Sequence, residues 1–320
     1  MRRQLARLAT AAVLLTAAGC GSSGPGGGAT SPGATTQVKV GVIPIVDVAP
    51  IYLGKQKGFF SSRGIELTME SGQGGAAIVP GVIAGQFQFG FSNVTSLMLA
   101  QTKGVPIRSV VNGVASTGKA GADFSGVAVK ADSPVHSAKD LAGRTISVNT
   151  LQNIGDTTIR ESVRKAGGDP AGIKFVELPF DQMPAALAAG RVEAAWMVEP
   201  ALSIARSQGA RVVASNYVDT APDLTVATYF TSTKLAQDNP DLVKRFAAAM
   251  TEALTYADGH ADEVRQVLTT YTKIDAAVLR SLTLPRWPTT VNKDSVRTLA
   301  TLGQRDGVLS KAPDIDALFP

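Results

Sequence analysis

Short apolar runs and helical stretches alternate along residues 38–213, and that alternation constrains the fold more than any single motif. Residues 38–43 (VKVGVI) predict a strand, 50–57 a short helix ended by Gly58, and 65–70 a second strand in which apolar and polar residues take turns. Residues 76–84 read as a helix with Gly85 behind it, and 87–91 as a third strand. Residues 94–101 form a helix that Asn93 can cap, and 107–112 a fourth strand. The same grammar returns with strands at 126–130, 145–148, 174–177 and 192–198 and helices at 156–166, 183–189 and 200–208. Strands separated by helices of this length predict parallel βαβ units, an α/β fold. Residues 82–93 (VIAGQFQFGFSN) and 187–200 (LAAGRVEAAWMVEP) each run from helix through a Gly stop and a strand to a helix start, so two lobes built alike are expected. From Leu235 onward the pattern is mainly helical. Leu242, Phe246, Ala249, Met250 and Leu254 make one apolar stripe over 241–257, and further helices are expected at 262–270, 276–282 and 293–304. This tail is expected to pack back on the first lobe.

The first twenty residues have another character. Arg2, Arg3 and Arg7 precede an uncharged run, 8–18, and Gly19-Cys20 follow. A basic start, a short apolar stretch and small residues before the cut are the marks of a secretory signal. As a helix the run rises only about 16 Å, too little for a hydrocarbon core of about 30 Å. Cys20 is the single cysteine of the chain, so no disulfide can form within it. Gly-Cys at the end of such a signal resembles the bacterial lipobox, although Ala17 stands where that motif prefers Leu or Val. The resemblance implies cleavage and lipidation at Cys20, hence a membrane anchor. Residues 21–36 (GSSGPGGGATSPGATT) carry no charge and read as a flexible linker.

Removing residues 1–20 takes away three of the 31 basic residues and no acidic ones, which leaves 28 against 26 acidic. That balance argues against nucleic acid as a partner, because nucleic-acid-binding chains concentrate basic charge on one face. The 284 residues after the linker exceed what one core ordinarily holds, again predicting two lobes. His136 and His260 are the only histidines and no ligand spacing surrounds them, so neither a metal centre nor a histidine-dependent triad is expected.

Four blocks carry a family resemblance. PIYLGKQKGFFSSRGIELTM (50–69) resembles the segment near the mature start of ABC-importer solute-binding proteins of the SsuA/TauA/NMT1-THI5-like group. IAGQFQFGFSN (83–93), SPVHSAKDLAGRTISV (133–148) and RVEAAWMVEPALSIARSQGARVV (191–213) are similar to that group's following blocks, in the same order. The resemblance implies a two-lobed clamshell of the type II periplasmic-binding-protein kind with two hinge crossings. Residues 37–123 with 220–320 would form lobe 1, and 124–219 lobe 2. It further implies a lipid-anchored extracytoplasmic monomer that needs no cofactor, holds a small solute in the interlobe cleft and delivers it to a permease and its ATPase. Solutes of the group include aliphatic sulfonates, taurine, nitrate and pyrimidine precursors. Pyrimidine-synthesising relatives carry a cysteine-rich iron motif and an essential histidine; no cysteine follows Cys20, so an enzyme is not expected. A surface receptor feeding a sensor system would have the same sequence features.

In open α/β sheets, ligands sit where strands end and helix N-termini point. The loops expected there are rich in Ser, Thr, Asn, Gln and Gly, with Lys119 and Arg160 only at the margins. Backbone N–H groups and helix dipoles can hold an anionic or zwitterionic head without a cationic side chain. Gln73 and Gly74 belong either to a nest of N–H groups or to an ordinary glycine turn. Ser92, Asn93 and Thr95 either cap a helix or also touch ligand, and Asn112 ends the fourth strand. Thr150, Gln152, Asn153, Asp156 and Thr157 pose the same choice on the second lobe. Asp47 in the first loop would favour an amine or an N–H-rich ring if it faces the cleft. Glu199 is either a helix cap or a second such carboxylate, and Trp196 either packs in the core or stacks on a planar ligand.

Overall fold

Two five-stranded sheets with the same strand order organise the chain. The structure is a computed structural model that describes residues 35–320; the expected signal peptide, Cys20 and nearly all of the linker lie outside the described residues. In chain order the strands are β1 (Thr36–Val42), β2 (Ile65–Ser71), β3 (Phe89–Asn93), β4 (Ile107–Ala115), β5 (Ser125–Val129), β6 (Thr145–Val148), β7 (Lys174–Glu177), β8 (Ala194–Val198), β9 (Arg211–Ala214) and β10 (Thr225–Ser232). The first sheet runs β2-β1-β3-β10-β4 and the second β7-β6-β8-β5-β9. The two sheets therefore correspond strand for strand, with β3 and β8, the strands of the two similar sequence blocks, at the centre of each. The molecule is a two-lobed α/β clamshell.

Helices connect and cover the sheets: α1 (Ala49–Gln56), α2 (Gly75–Ile83), α3 (Val94–Thr102), α4 (Ile154–Lys165), α5 (Met183–Ala188), α6 (Ala201–Ser207) and α7 (Asn216–Thr220). The tail adds α8 (Thr233–Asp238), α9 (Pro240–Gly259), α10 (Ala261–Leu268), α11 (Ala276–Ser281), α12 (Lys293–Arg305) and α13 (Ile315–Leu318). No helix among the described residues is long and apolar enough to cross a membrane.

The parallel pairs β1–β2, β1–β3, β6–β7 and β6–β8 follow the βαβ expectation, but β5 and β10 run antiparallel to their neighbours. The reason is how they arrive. Each enters its sheet from the other lobe rather than through a covering helix, and a strand delivered that way can run against its neighbours. The two crossings, residues 116–124 and 215–224, lie side by side: Ser116 N–H donates to Leu224 O at 3.0 Å and Gly121 N–H to Ser215 Oγ at 2.8 Å. Asp123 braces the first crossing by accepting from Ser116 Oγ and from the N–H groups of Thr117 and Phe124.

Several boundaries move. β1 begins at Thr36, inside the expected linker, because Thr36 N–H bonds Gly64 O and Thr36 pairs with Ile65 of β2. β3 starts at Phe89 rather than 87, since Gln86 and Phe87 both give their N–H to Gly81 O in the turn after α2. β4 continues past residue 112 to Ala115, where Ala115 and Arg286 exchange backbone hydrogen bonds.

The α9 stripe is buried as expected. Phe246 stacks on Phe89 of β3 with ring centroids 3.8 Å apart and meets Phe60 and Tyr229, which seats the tail on the first lobe. The tail also reaches the second lobe, a contact the sequence does not announce. Arg164 of α4 grips the Asp306 carboxylate with two bonds of 2.8 and 2.9 Å, and Arg305 bonds Glu161.

Candidate functional site

The carboxyl ends of the parallel strands in both sheets face one cleft, as the strand-end rule for α/β folds requires. From the first lobe come the loop after β1 with Ile43, Ile45 and Asp47, the loop after β2 with Gln73 and Gly74, and Asn93 at the end of β3. From the second come Asn149 after β6, Phe180 after β7, and Trp196 with Val198 on β8. An outer cavity of about 520 Å³ is lined by residues that include Ile43, Pro44, Ile45, Gln73, Phe180, Ile204, Tyr271 and Lys273. That volume falls in the range usual for small-molecule sites. Next to it lies an inner cavity of about 20 Å³, walled by Asp47, Phe91, Asn93, Asn149, Trp196 and Tyr217 among others. Ile43, Ile45 and Phe180 line both, so the two cavities adjoin.

The lobes touch across the cleft through main-chain atoms. Gln73 Nε2 donates to Asn149 O and Asn149 Nδ2 donates to Gln73 O, each at 3.2 Å. Gly74 sits so close to this contact that a Cβ would lie 2.8 Å from Thr150 Cγ2 and 2.9 Å from Asn149 Nδ2. Val46 N–H bonds Glu199 O at 3.0 Å across the cleft, and within the first lobe Tyr271 Oη of the tail donates to Ile45 O at 3.0 Å.

Asp47 lies in a short 3-10 turn after β1 and is 3 % exposed. Its Oδ1 has no hydrogen-bond partner. Burial pushes its carboxyl up to about 7, its own backbone N–H opposes this, and the nearby Asp123 adds to the rise. Trp287 of the tail holds the turn in place by donating Nε1–H to Asp47 O at 3.1 Å.

The remaining residues singled out from sequence divide by position. Asn93 caps α3, accepting from Ser96 N–H while lining the inner cavity. Trp196 also lines it; its Nε1–H bonds Ser125 Oγ at 2.8 Å and its ring stands edge-on to Phe180 and Tyr217. Its six-membered ring rests on Gly155, where a Cβ would fall 2.4 Å from Trp196 Cε3. Asn153 caps α4 through Gly155 N–H and also donates to Asn149 Oδ1 and Thr150 Oγ1, tying the second-lobe loop together. Asp156 accepts from the N–H of Gln152, an exposed residue held at φ 53°, and burial pushes its carboxyl up to about 6. Ser92 and Thr157 are fully buried, bonding Asn93 O and Asn153 O; Thr95 is buried as well, with an unpartnered Oγ1.

Of the residues singled out from sequence, only Asp47, Gln73, Asn93 and Trp196 line either cavity, and Glu199 and Asn112 serve other parts of the fold. Glu199 bonds Ser203 N–H and Oγ at the start of α6 and Thr283 N–H of the tail, so its carboxylate is a cap and a tie to the tail. Asn112 lies inside β4, three residues short of the strand end; it donates to Pro288 O and lines a separate hollow with Val243 and Phe319. Sequence reasoning misses Phe180, Tyr217 and Tyr271. Phe180 is within its reach, because the loop after β7 is a strand-end loop like the others. Tyr217 and Tyr271 come from the second crossing and the tail, where strand order gives no guidance.

Residues 45–264, about two thirds of the chain, match the family model described as NMT1/THI5 like. The chain belongs to the NMT1/THI5-like family. The matched span includes both central strands, both crossings and Asp47, while Ile43, Pro44, Tyr271 and Lys273 of the cleft lie outside it. No curated protein sequence matches this one. Solved structures share the family's clamshell at low identity. The ligand-binding component of an ABC-type import system from Staphylococcus aureus, solved with zinc bound, has a TM-score of 0.77 at 15% identity, covering 89% of this chain and 97% of its own. The alkanesulfonate-binding protein SsuA from Xanthomonas axonopodis pv. citri, bound to MOPS, has a TM-score of 0.72 at 18% identity, covering 91% and 98%. The desulfurization enzyme DSZB is also similar, with a TM-score of 0.63 at 16% identity, covering 88% and 95%. At these identities the likeness is one of fold. Among the described residues of this family member, no group of three or more His, Cys, Asp or Glu is arranged to hold a metal ion.

Proposed function

We propose that the chain is the solute receptor of an ABC importer: a lipoprotein tethered at Cys20 outside the cytoplasmic membrane that binds a small zwitterionic, anionic or heterocyclic solute in the cleft. Closing the lobes on the solute would present a changed surface to the permease and its ATPase. The observation that carries this reading is the meeting of strand ends from two like sheets over one cavity of about 520 Å³. The two crossings lying side by side supply a hinge for lobe motion. Structural neighbours named as an import-system component and an alkanesulfonate-binding protein point the same way.

The reading is of a binding protein and not an enzyme. Among the described residues, Asp47 is the only carboxylate on the inner cavity wall, and neither histidine nor cysteine stands beside it there. Hydrolytic or transfer chemistry ordinarily needs a second group to relay a proton or attack.

The test is a solute screen by thermal unfolding of the purified full chain, with sulfonates, taurine, nitrate and pyrimidines among the solutes. A receptor gains stability from one solute class in a saturable manner, because a ligand that binds only the folded state adds RT ln(1 + [L]/Kd). A screen without any saturable shift removes the proposal, and turnover of a bound solute converts it to an enzyme. Mass spectrometry of the membrane-extracted protein checks the anchor: an acylated Cys20 at the N-terminus supports it, and an unmodified chain does not.

A further inference from the structure

The inner cavity joins three features that bear on what enters it. The first is Asp47, nearly fully buried, with Oδ1 lacking any partner. A buried polar atom ordinarily finds a hydrogen-bond partner, and an ionised carboxylate is especially costly to leave alone. The second is the absence of a countercharge among the described residues. The one charged side chain that acts on Asp47 is another carboxylate, Asp123, and the phenols near it, Tyr217, Tyr229 and Tyr271, are kept protonated by burial. Of the described residues, no lysine or arginine lines the inner cavity, and the single cation of the outer cavity, Lys273, is exposed at its edge.

The third feature is shape. About 20 Å³ holds one group the size of a water molecule, which is also the size of an ammonium or of the N–H edge of a ring. The adjoining cavity is walled mainly by apolar residues, Ile43, Pro44, Ile45, Phe180 and Ile204, with Tyr271, Asp181 and Lys273 among its polar ones. A narrow acceptor-bearing cavity adjoining a broad, mainly apolar chamber suits a molecule with a donor at one end and an apolar or flat body behind it.

We propose that the cleft takes a solute with a positively charged or N–H-donating head on an apolar body, such as an amidinium, a protonated amine or an amino-substituted heterocycle, and that Asp47 is the acceptor that reads the head. Trp196, Phe91 and Tyr217 form the aromatic wall beside that head. A sulfonate or nitrate in the same place would set like charges together with no cation to offset them. The proposal rests on the reading of the cleft as a solute site and narrows its substrate class.

Titration calorimetry of the purified full chain at pH 8 tests it with benzamidinium, benzylammonium and cytosine on one side and benzenesulfonate, ethanesulfonate and nitrate on the other. The expected result is saturable binding within the first group and none in the second. Asp47→Asn should weaken that binding at least tenfold while the ligand-free variant unfolds at or above the wild-type temperature. Lys311→Gln, at an exposed position away from both cavities, should leave it unchanged within twofold. Anion binding that survives Asp47→Asn, or binding lost in Lys273→Gln but not in Asp47→Asn, overturns the inference while leaving the solute-receptor reading intact. The inference is likewise overturned if neither group binds and the broader solute screen yields a ligand indifferent to Asp47→Asn. If that screen is also empty, both readings fall.

Discussion

Gln73 and Asn149 grip each other's main chain across the cleft: each side-chain amide donates to the other residue's backbone carbonyl at 3.2 Å. The polar strand-end loops that sequence singles out as ligand holders thus also hold the two lobes together. Reciprocal bonds of this kind favour a closed arrangement without a ligand, at the modest level of neutral hydrogen bonds, about 0.5–1.5 kcal/mol each.

Removing both amides with Gln73→Ala and Asn149→Ala should open the ligand-free protein. Small-angle X-ray scattering would show a larger radius of gyration than wild type, with some fall in unfolding temperature because Asn153 Nδ2 also loses its Asn149 Oδ1 acceptor. An unchanged scattering profile would mean that the clasp does not set the lobe angle.

Gly155→Ala should destabilise the second lobe. The added methyl would meet the Trp196 ring at 2.4 Å, and forcing atoms into a packed core costs about 1–3 kcal/mol. Chemical denaturation gives the number. A loss well under about 1 kcal/mol would show that the Trp196 ring can slide aside.

The tail-to-lobe tie gives a third prediction. Asp306 is 5% exposed at its side chain and receives two bonds from Arg164. Arg164→Met takes both bonds from that carboxylate, leaving it only Arg305 Nε at 3.8 Å, and should cost about 1.5–3 kcal/mol, the worth of hydrogen bonds to a charged group. Adding Asp306→Leu should restore part of the loss, since removing both partners is cheaper than stranding one. Strictly additive losses in the two substitutions would rule out a direct coupling.

Asp47 sets a pH dependence of known sign. Its folded-state value of about 7 lies above the ordinary 3.8, so the fold prefers the neutral acid. The stability that goes with this preference is full below the ordinary carboxylate range and is lost as pH rises through about 7. Asp47→Asn mimics the neutral form and should raise the ligand-free unfolding temperature more at pH 8 than at pH 4. Asp156, pushed up to about 6, acts in the same sense in both proteins and cancels in the comparison. An equal effect at the two pH values would show that Asp47 finds a partner when it ionises.

Much of this architecture is legible in local patterns. Asn93 before an apolar helix reads directly as a cap, and the α9 stripe of Leu242, Phe246 and Met250 needs no tertiary knowledge. β10 is not legible in this way, because its place depends on β3 and β4, more than a hundred residues upstream. Asn112 departs from its expected place at a strand end for a related reason: nothing local announces that Ala115 will find Arg286 and extend the strand. The cleft is half visible. Strand-end loops mark Asp47, Gln73 and Asn153, but the lone state of Asp47 arises only when Tyr217, Tyr229 and Trp287 close around it from three distant segments. Glu199 and Ser203 have a capping spacing, and capping is what the carboxylate does, with Thr283 as an additional donor that no spacing could foretell.

The swapped placement of β5 and β10 has a consequence for how the chain is made. The second sheet is complete once residue 214 has emerged from the ribosome, because all its strands are contiguous in sequence. The first sheet keeps an empty slot between β3 and β4 until residues 225–232 arrive to fill it. In chain order the second sheet is therefore the first that can close, and the first sheet waits for β10.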